Sequence, residues 1–337
     1  MKCFTGIVFV VLSGVASVLA RTKVGTYKSS FTYDLYSDDK ATIVGTYYTS
    51  MRDAIIPGYV MVNKKQYLVS EIGANAFEGK EINKITIDSS NNGLLIKKNA
   101  FYGVKNLRQF NIYSPYVDAE IGGFSGVGTL VQFQGSGIPN TVERYSEKLL
   151  KQWDLPVRNN YKYITDDTMK RDLFRLGKEM QNKFGIYDKV AYPDNAANVC
   201  FIGSGSSNGL TRLYRIMAIV MGVPSDEVLA ACDNMHYCWN YTKVVGFRDD
   251  KIKWYVFDIQ DKIQNNLYYN PHAFMKESAF IKNNLPKYYG KSVTIDPHKF
   301  IVHNTRYNYP NESKYDYKNS ENFDDWLERN NAGERTL

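Results

Sequence analysis

The residues best equipped for chemistry crowd into positions 200–258. They are Cys200, Cys232 and Cys238, His236 between the last two, the run Gly203-Ser-Gly-Ser-Ser-Asn-Gly209, and Asp258 at the end of an aromatic stretch. Cysteine beside histidine suggests zinc first, but Cys-x5-Cys around His236 offers three donors at crowded spacing and no second cluster. No metal and no cofactor is therefore expected. The glycine-rich run resembles a phosphate cradle, yet no lysine follows it and no set of apolar parallel strands surrounds it. Ser207 opens an apolar-periodic segment and reads as a helix N-cap. Cys200 lies in the strand-like stretch Asn198-Val-Cys-Phe-Ile and reads as a buried thiol.

These groups need elements to hold them. Met169, Leu173, Leu176, Met180 and Phe184 recur at helical spacing after Thr165, with Gly185 as a stop. A second helix is expected from Ser207 to Met221, ended by Gly222-Val-Pro224. Strands come next at Val228–Ala231, Tyr237–Phe247 and Lys251–Ile259, which makes this part an α+β domain. If Val228–Cys232 and His236–Tyr241 form a hairpin, Cys232 and Cys238 lie opposite each other and form the possible disulfide, leaving Cys200 free. Beyond Tyr307 the chain is polar, with one short helix expected near Asn322–Arg329.

The first 20 residues have a basic start at Lys2, an apolar run from Ile7 to Leu12 and a small-residue end at Ala20. That is the pattern of a cleaved secretory signal, too short to span a bilayer, and no later run is apolar enough to do so. A secreted, extracellular product is expected, starting near Arg21. Its formal charge of +7, or +6 without Lys2, is spread without a Lys/Arg block, so no nucleic-acid partner is expected. The sequons Asn240-Tyr-Thr242 and Asn311-Glu-Ser313 fit export and offer two possible N-glycan sites.

The segment from Tyr67 to Gln134 repeats. Ile72-Gly-Ala-Asn-Ala76-Phe77-Glu-Gly79 returns as Ile96-Lys-Lys-Asn-Ala100-Phe101-Tyr-Gly103 and, more weakly, as Ala119-Glu-Ile-Gly-Gly-Phe124-Ser-Gly126. Each is succeeded by a strand-like segment, at 82–87, 107–112 and 130–133. A period in the low twenties with one short strand and one turn per unit describes a leucine-rich-repeat solenoid. The pattern resembles BspA-like leucine-rich repeats of adhesive and surface proteins, with Phe31–Gly45 as the N-terminal strand cap. With about three units, such a solenoid must lean on the residues C-terminal to it.

Ser207-Asn-Gly-Leu-Thr, Gly222-Val-Pro-Ser, Tyr237-Cys-Trp-Asn and Trp254-Tyr-Val-Phe-Asp258, in this order, are similar to the transglutaminase-like fold of papain-type thiol enzymes. The resemblance covers roughly residues 160–300. It implies a cysteine nucleophile at the helix start, a histidine two residues before Trp-Asn, and an aspartate behind it. Here the three positions fall on Ser207, Tyr237 and Asp258, with His236 one residue out of register. A helix N-terminus is worth at most about 2 kcal/mol, far too little to ionise an alcohol near neutrality, so Ser207 needs a base. Alternate residues of a strand face opposite sides, so only a bulge would bring His236 into place. A phenol is a poor base at neutral pH.

The expected architecture is α+β: signal 1–20, strand cap and BspA-like repeats 21–140, a transglutaminase-like domain 141–303 and a polar tail 304–337. The expected function is binding or adhesion to an extracellular protein or glycan, with a degenerate Ser207, His236, Asp258 triad. The alternative is an active acyl-transfer enzyme or hydrolase using Ser207 or Cys200 with His236 and Asp258.

Overall fold

The computed structural model describes residues 21–48, 50–161, 167–186, 189–225, 227–232, 237–245 and 252–260, with short strands at 274–275, 301–303 and 320–322. The described residues start with an antiparallel meander of β1 (Lys23–Lys28), β2 (Phe31–Tyr36) and β3 (Lys40–Thr46). From β3 the pairing turns parallel and runs through β6 (Lys65–Ile72), β8 (Leu94–Ile96) and β10 (Val117–Ala119). A short strand, β5 (Tyr59–Val62), pairs antiparallel with β6. The second sheet is parallel throughout, in the order β11 (Gln132–Gln134), β9 (Gln109–Ile112), β7 (Lys84–Ile87), β4 (Asp53–Ile56).

Each coil therefore carries two strands, one per sheet, where the repeat had suggested one. The strands after each Phe turn fall inside the expected segments or within one residue of them. Those before it, such as β8 and β10, were hidden because three residues are too few to show an alternation.

The repeated motif has a geometric cause. Ile72 pairs with Ile96, and Ile96 with Ala119, so each coil stacks on the last at one-repeat offset. Phe77 stacks on Phe101 with ring centroids 5.3 Å apart, and Phe101 on Phe124 at 6.4 Å. The turns stack too: Phe77 N donates to Ala100 O at 2.8 Å and Gly79 N to Tyr102 O at 2.9 Å. Asn75 and Asn99 sit in the left-handed region at φ 58° and 60°, and Gly122 takes the same place at 86°. The glycine two residues after each phenylalanine has a positive φ, and at Gly126 close approach requires it as well. A Cβ on Gly126 would lie 2.9 Å from Gly103 N and 2.8 Å from Tyr102 Cδ2.

After the solenoid come α1 (Ile138–Gln152), α2 (Asp167–Lys183), α3 (Ala196–Ile202) and α4 (Ser207–Met221). A two-strand parallel pair, β12 (Gly185–Ile186) and β13 (Ser204–Gly205), joins the ends of α2 and α3. The third sheet is antiparallel, in the order β17 (Phe274–Met275), β16 (Ile252–Phe257), β15 (Cys238–Val245), β14 (Val228–Cys232), β18 (Ile301–His303), β19 (Ser320–Asn322). Of the helix expected at 322–329, Asn322 ends β19 and the rest falls outside the described residues. Helix α2 crosses the sheet at Gly177, where a Cβ would stand 2.2 Å from Phe257 Cζ. Tyr214 of α4 stacks on Phe257 at 4.8 Å, and its hydroxyl donates to Leu173 O of α2 at 3.1 Å. Among the described residues no helix is long and apolar enough to cross a membrane.

Two readings of local structure need correction. Cys200 is not on a strand: Asn195 caps α3, accepting from Ala197 N, and Gly203 closes it in the left-handed region at φ 93°. These two caps outweigh the β-branched character of Val199 and Ile202. Helix α1 was not foreseen as a helix, although Val142, Tyr145, Leu149 and Leu150 line its buried side behind Pro139.

Buried residues from Phe31 to Ile259 form one contiguous core spanning solenoid, helices and third sheet. Within it, burial raises the hydroxyls of Tyr33 and Tyr145 to about 12 and that of Tyr214 well above its ordinary value. The unfolded chain gives up these protons near pH 10 and the folded chain does not. The stabilisation is thus fully present below about pH 10 and lost as pH rises toward 12. Denaturant midpoints should fall across that window, and part of the tyrosinate absorbance should appear only with unfolding. Constant midpoints there would contradict these burials.

Candidate functional site

Helix α4 has the expected span, Ser207–Met221, but its cap lies one residue before the expected one. Ser206, not Ser207, is the N-cap: its Oγ accepts from Gly209 N at 3.3 Å. The Ser206 hydroxyl in turn donates to Asp194 Oδ1 in a short hydrogen bond, and Ser206 N donates to Pro193 O at 3.0 Å. Asp194 thus brings a carboxylate to the positive end of the helix dipole. Sequence reasoning missed both Ser206 and Asp194. The Ser-x-x-Gly spacing was visible, but nothing local to Asp194 announces a partner 12 residues away.

Ser207 is the first helical residue and is 9 % exposed. Its hydroxyl is not a cap. Ser207 Oγ accepts a hydrogen bond of 3.2 Å from the backbone N of Cys238 on β15, so the helix start is tied to the strand. The residue before Cys238 is Tyr237. Its hydroxyl donates to Asp258 Oδ2 at 2.9 Å, and Gln260 N donates to Asp258 Oδ1 at 2.9 Å. Asp258 is 3 % exposed, with both carboxylate oxygens engaged. The structure therefore brings Tyr237 to Asp258 side chain to side chain, and Ser207 to the backbone beside Tyr237.

Strand β15 pairs with β14 without a bulge, Cys232 opposite Cys238 and Ala231 opposite Trp239. Tyr237, Trp239 and Tyr241 form a file of ring contacts, at 6.5 and 6.2 Å, along one face. Asn240 faces α4. His236 and its loop lie outside the described residues.

The disulfide Cys232–Cys238 is present, as the hairpin register requires. Cys232 Sγ lies 4.0 Å from Asn208 Oδ1, so the bridge rests against the first turn of α4. Cys200 is the free cysteine among the described residues and is buried, as expected. It is the fifth residue of α3, away from any helix start, and burial pushes its thiol well above the ordinary range. Neither its position nor its burial favours a thiolate there.

One expectation for this region fails. Asn240 is fully buried, and its Nδ2 donates to Thr211 O at 3.0 Å and Leu229 O at 3.1 Å. Both amide hydrogens are used inside the core, which leaves no place for a glycan. Asn311 lies outside the described residues. Among the described residues no group of three His, Cys, Asp or Glu side chains is placed to hold a metal ion.

No protein-family model matches the chain, and no curated protein matches it. Similar solved structures include a leucine-rich repeat protein from Bacteroides capillosus, 22% identical, covering 33% of this chain and 99% of that one at a TM-score of 0.25. A leucine rich cell surface protein from Faecalibacterium prausnitzii is 19% identical, covering 33% of this chain and 30% of that one, also at 0.25. A leucine-rich repeat protein from Bacteroides ovatus is 17% identical, covering 32% and 37% at 0.23.

Proposed function

We propose that this is an exported binding protein: a leucine-rich-repeat solenoid that engages an extracellular protein or glycan, joined to a transglutaminase-like domain that no longer performs acyl transfer. The observation that carries the second half is the Tyr237–Asp258 hydrogen bond. In a thiol enzyme of this type the aspartate orients an imidazole, which holds the proton taken from the nucleophile. A phenol donating to that aspartate is no base at neutral pH. Ser207 has an alcohol where a thiolate is needed, and its oxygen already accepts from Cys238 N. Export is supported by the leader-like residues 1–20 and by the disulfide, a bond that persists in oxidising compartments. In this reading the domain spans 141–303 and a tail spans 304–337.

The test is an amine-incorporation and amide-hydrolysis assay on the purified chain. No turnover above background is expected, and Ser207→Ala changes nothing. The paired variant Ser207→Cys with Tyr237→His is expected to gain a thiol that haloacetamides alkylate near neutral pH, at least 10-fold faster than Cys200 in the parent. Turnover in the parent that Ser207→Ala abolishes would refute the proposal and restore the acyl-transfer reading.

A further inference from the structure

We infer that the helical part of the chain has a second task that needs no catalysis: it is the C-terminal cap of the solenoid. A stack of parallel coils must end somewhere. Its last strand exposes backbone N–H and C=O groups, and its last core layer exposes apolar side chains. Left open, that end loses buried hydrogen bonds and invites edge pairing with other chains.

Here the last coil ends in β10 and β11, and helices α1 and α3 cover both. On β11, Asn198 Oδ1 accepts from Phe133 N at 3.3 Å and Asn198 Nδ2 donates to Val131 O at 2.7 Å. Asn195 Nδ2 donates to Phe133 O at 3.3 Å. Two asparagine amides thus make the bonds that a further strand would have made. Asn198 also donates to Ala191 O at 3.1 Å, and Ala191 N donates to Thr129 O at 2.9 Å, which ties down the loop before α3. At the other sheet, the Tyr145 hydroxyl of α1 accepts from Gly122 N at 3.0 Å. Lys148 donates to Ala119 O at 2.7 Å and pairs with Asp118.

The core layer is closed as well. Phe201 of α3 packs on Phe124 at 4.3 Å and on Phe133 at 4.9 Å, and meets the Tyr145 ring at 5.5 Å. The aromatic file of the coils therefore continues into the helices with no break. Solenoid and helical part form one cooperative body, whether or not Ser207 ever acts.

Amide hydrogen exchange on the intact chain tests this, with Asn198→Ala and Lys148→Ala as variants. In the parent, the amides of Phe110 and Phe133 should share their opening equilibrium with those of Leu213 and Met217, and tryptophan fluorescence should report the same transition. Every tryptophan lies beyond residue 140, so fluorescence sees only the helical side. Asn198→Ala leaves Phe133 N and Val131 O without the partners that Asn198 gives them and should speed exchange on both sides of the junction by ~10- to 100-fold. Lys148→Ala, at a half-exposed position that folds in any event, should show the same pattern at a smaller factor. Coil amides that keep their parent exchange while those of α3 and α4 speed up would overturn the inference. Coil protection that outlasts the fluorescence transition would do the same.

Discussion

Replacing Phe201 with alanine should lower the stability of the whole chain by about 3–5 kcal/mol, the range for deleting a buried aromatic side chain. The upper half of that range is expected because the site cannot collapse. Phe124 and Phe133 are fixed by their own coils, Phe133 on a strand whose register is locked to Phe110, and Tyr145 is held by its bond to Gly122 N. None of them can move into the space without breaking a ladder. Aromatic contacts of this kind add roughly 0.5–1.5 kcal/mol beyond the area they bury. The corresponding drop in Tm is roughly 4–8 °C for a chain of this size. Tyr102→Ala is the control: this tyrosine is 52 % exposed on the solenoid turn, and its loss should fall within about 0.5 kcal/mol of the parent. A Phe201→Ala loss below about 1 kcal/mol, read from denaturant midpoints, would mean that the junction is loosely packed.

The contrast between these two residues shows what a sequence can carry. Phe77, Phe101 and Phe124 announce themselves because each coil repeats the same backbone problem and solves it with the same residues. Phe201 solves it once, from a different element, so no period marks it. The same holds for Asn195 and Asn198, whose partners on β11 lie more than 60 residues away in sequence. At the candidate site, the Cys232–Cys238 bridge was legible because hairpin register is simple counting, and Tyr237 and Asp258 were legible through the family resemblance that marks their positions. The fate of the Ser207 hydroxyl was not, since Cys238 N reaches it across 31 residues. Asn240 was misread for a related reason. A sequon is three residues long, and burial is decided by everything else.

Gly222→Ala is expected to cost about 2–4 kcal/mol, and the nearby Gly203→Ala shows why. Both glycines close a helix in the left-handed region, Gly222 at φ 113° after α4 and Gly203 at φ 93° after α3. An alanine at either position meets the conformational penalty of about 1 kcal/mol. At Gly203 a Cβ would find nothing within 4 Å, so that penalty is the whole effect. At Gly222 the Cβ would stand 1.9 Å from Asn159 O and 2.9 Å from Asn159 N. This contact is backbone, and it cannot swing aside. Arg158 N donates to Val220 O and Asn159 N to Met221 O, each at 2.8 Å, so the 158–159 segment is hydrogen-bonded along the last turn of α4. Accommodating a methyl group there means giving up at least one of these bonds or displacing the helix end, which adds roughly 1–3 kcal/mol as overpacking does elsewhere. The difference between the two variants, measured as the shift in denaturant midpoint at constant slope, isolates the steric part from the conformational one. Equal losses at the two glycines would show that the 158–159 segment yields freely and that the Gly-Val-Pro-Ser motif marks only a helix stop. A larger loss at Gly222 makes that motif a docking point, where the end of α4 is clamped to the segment just after α1.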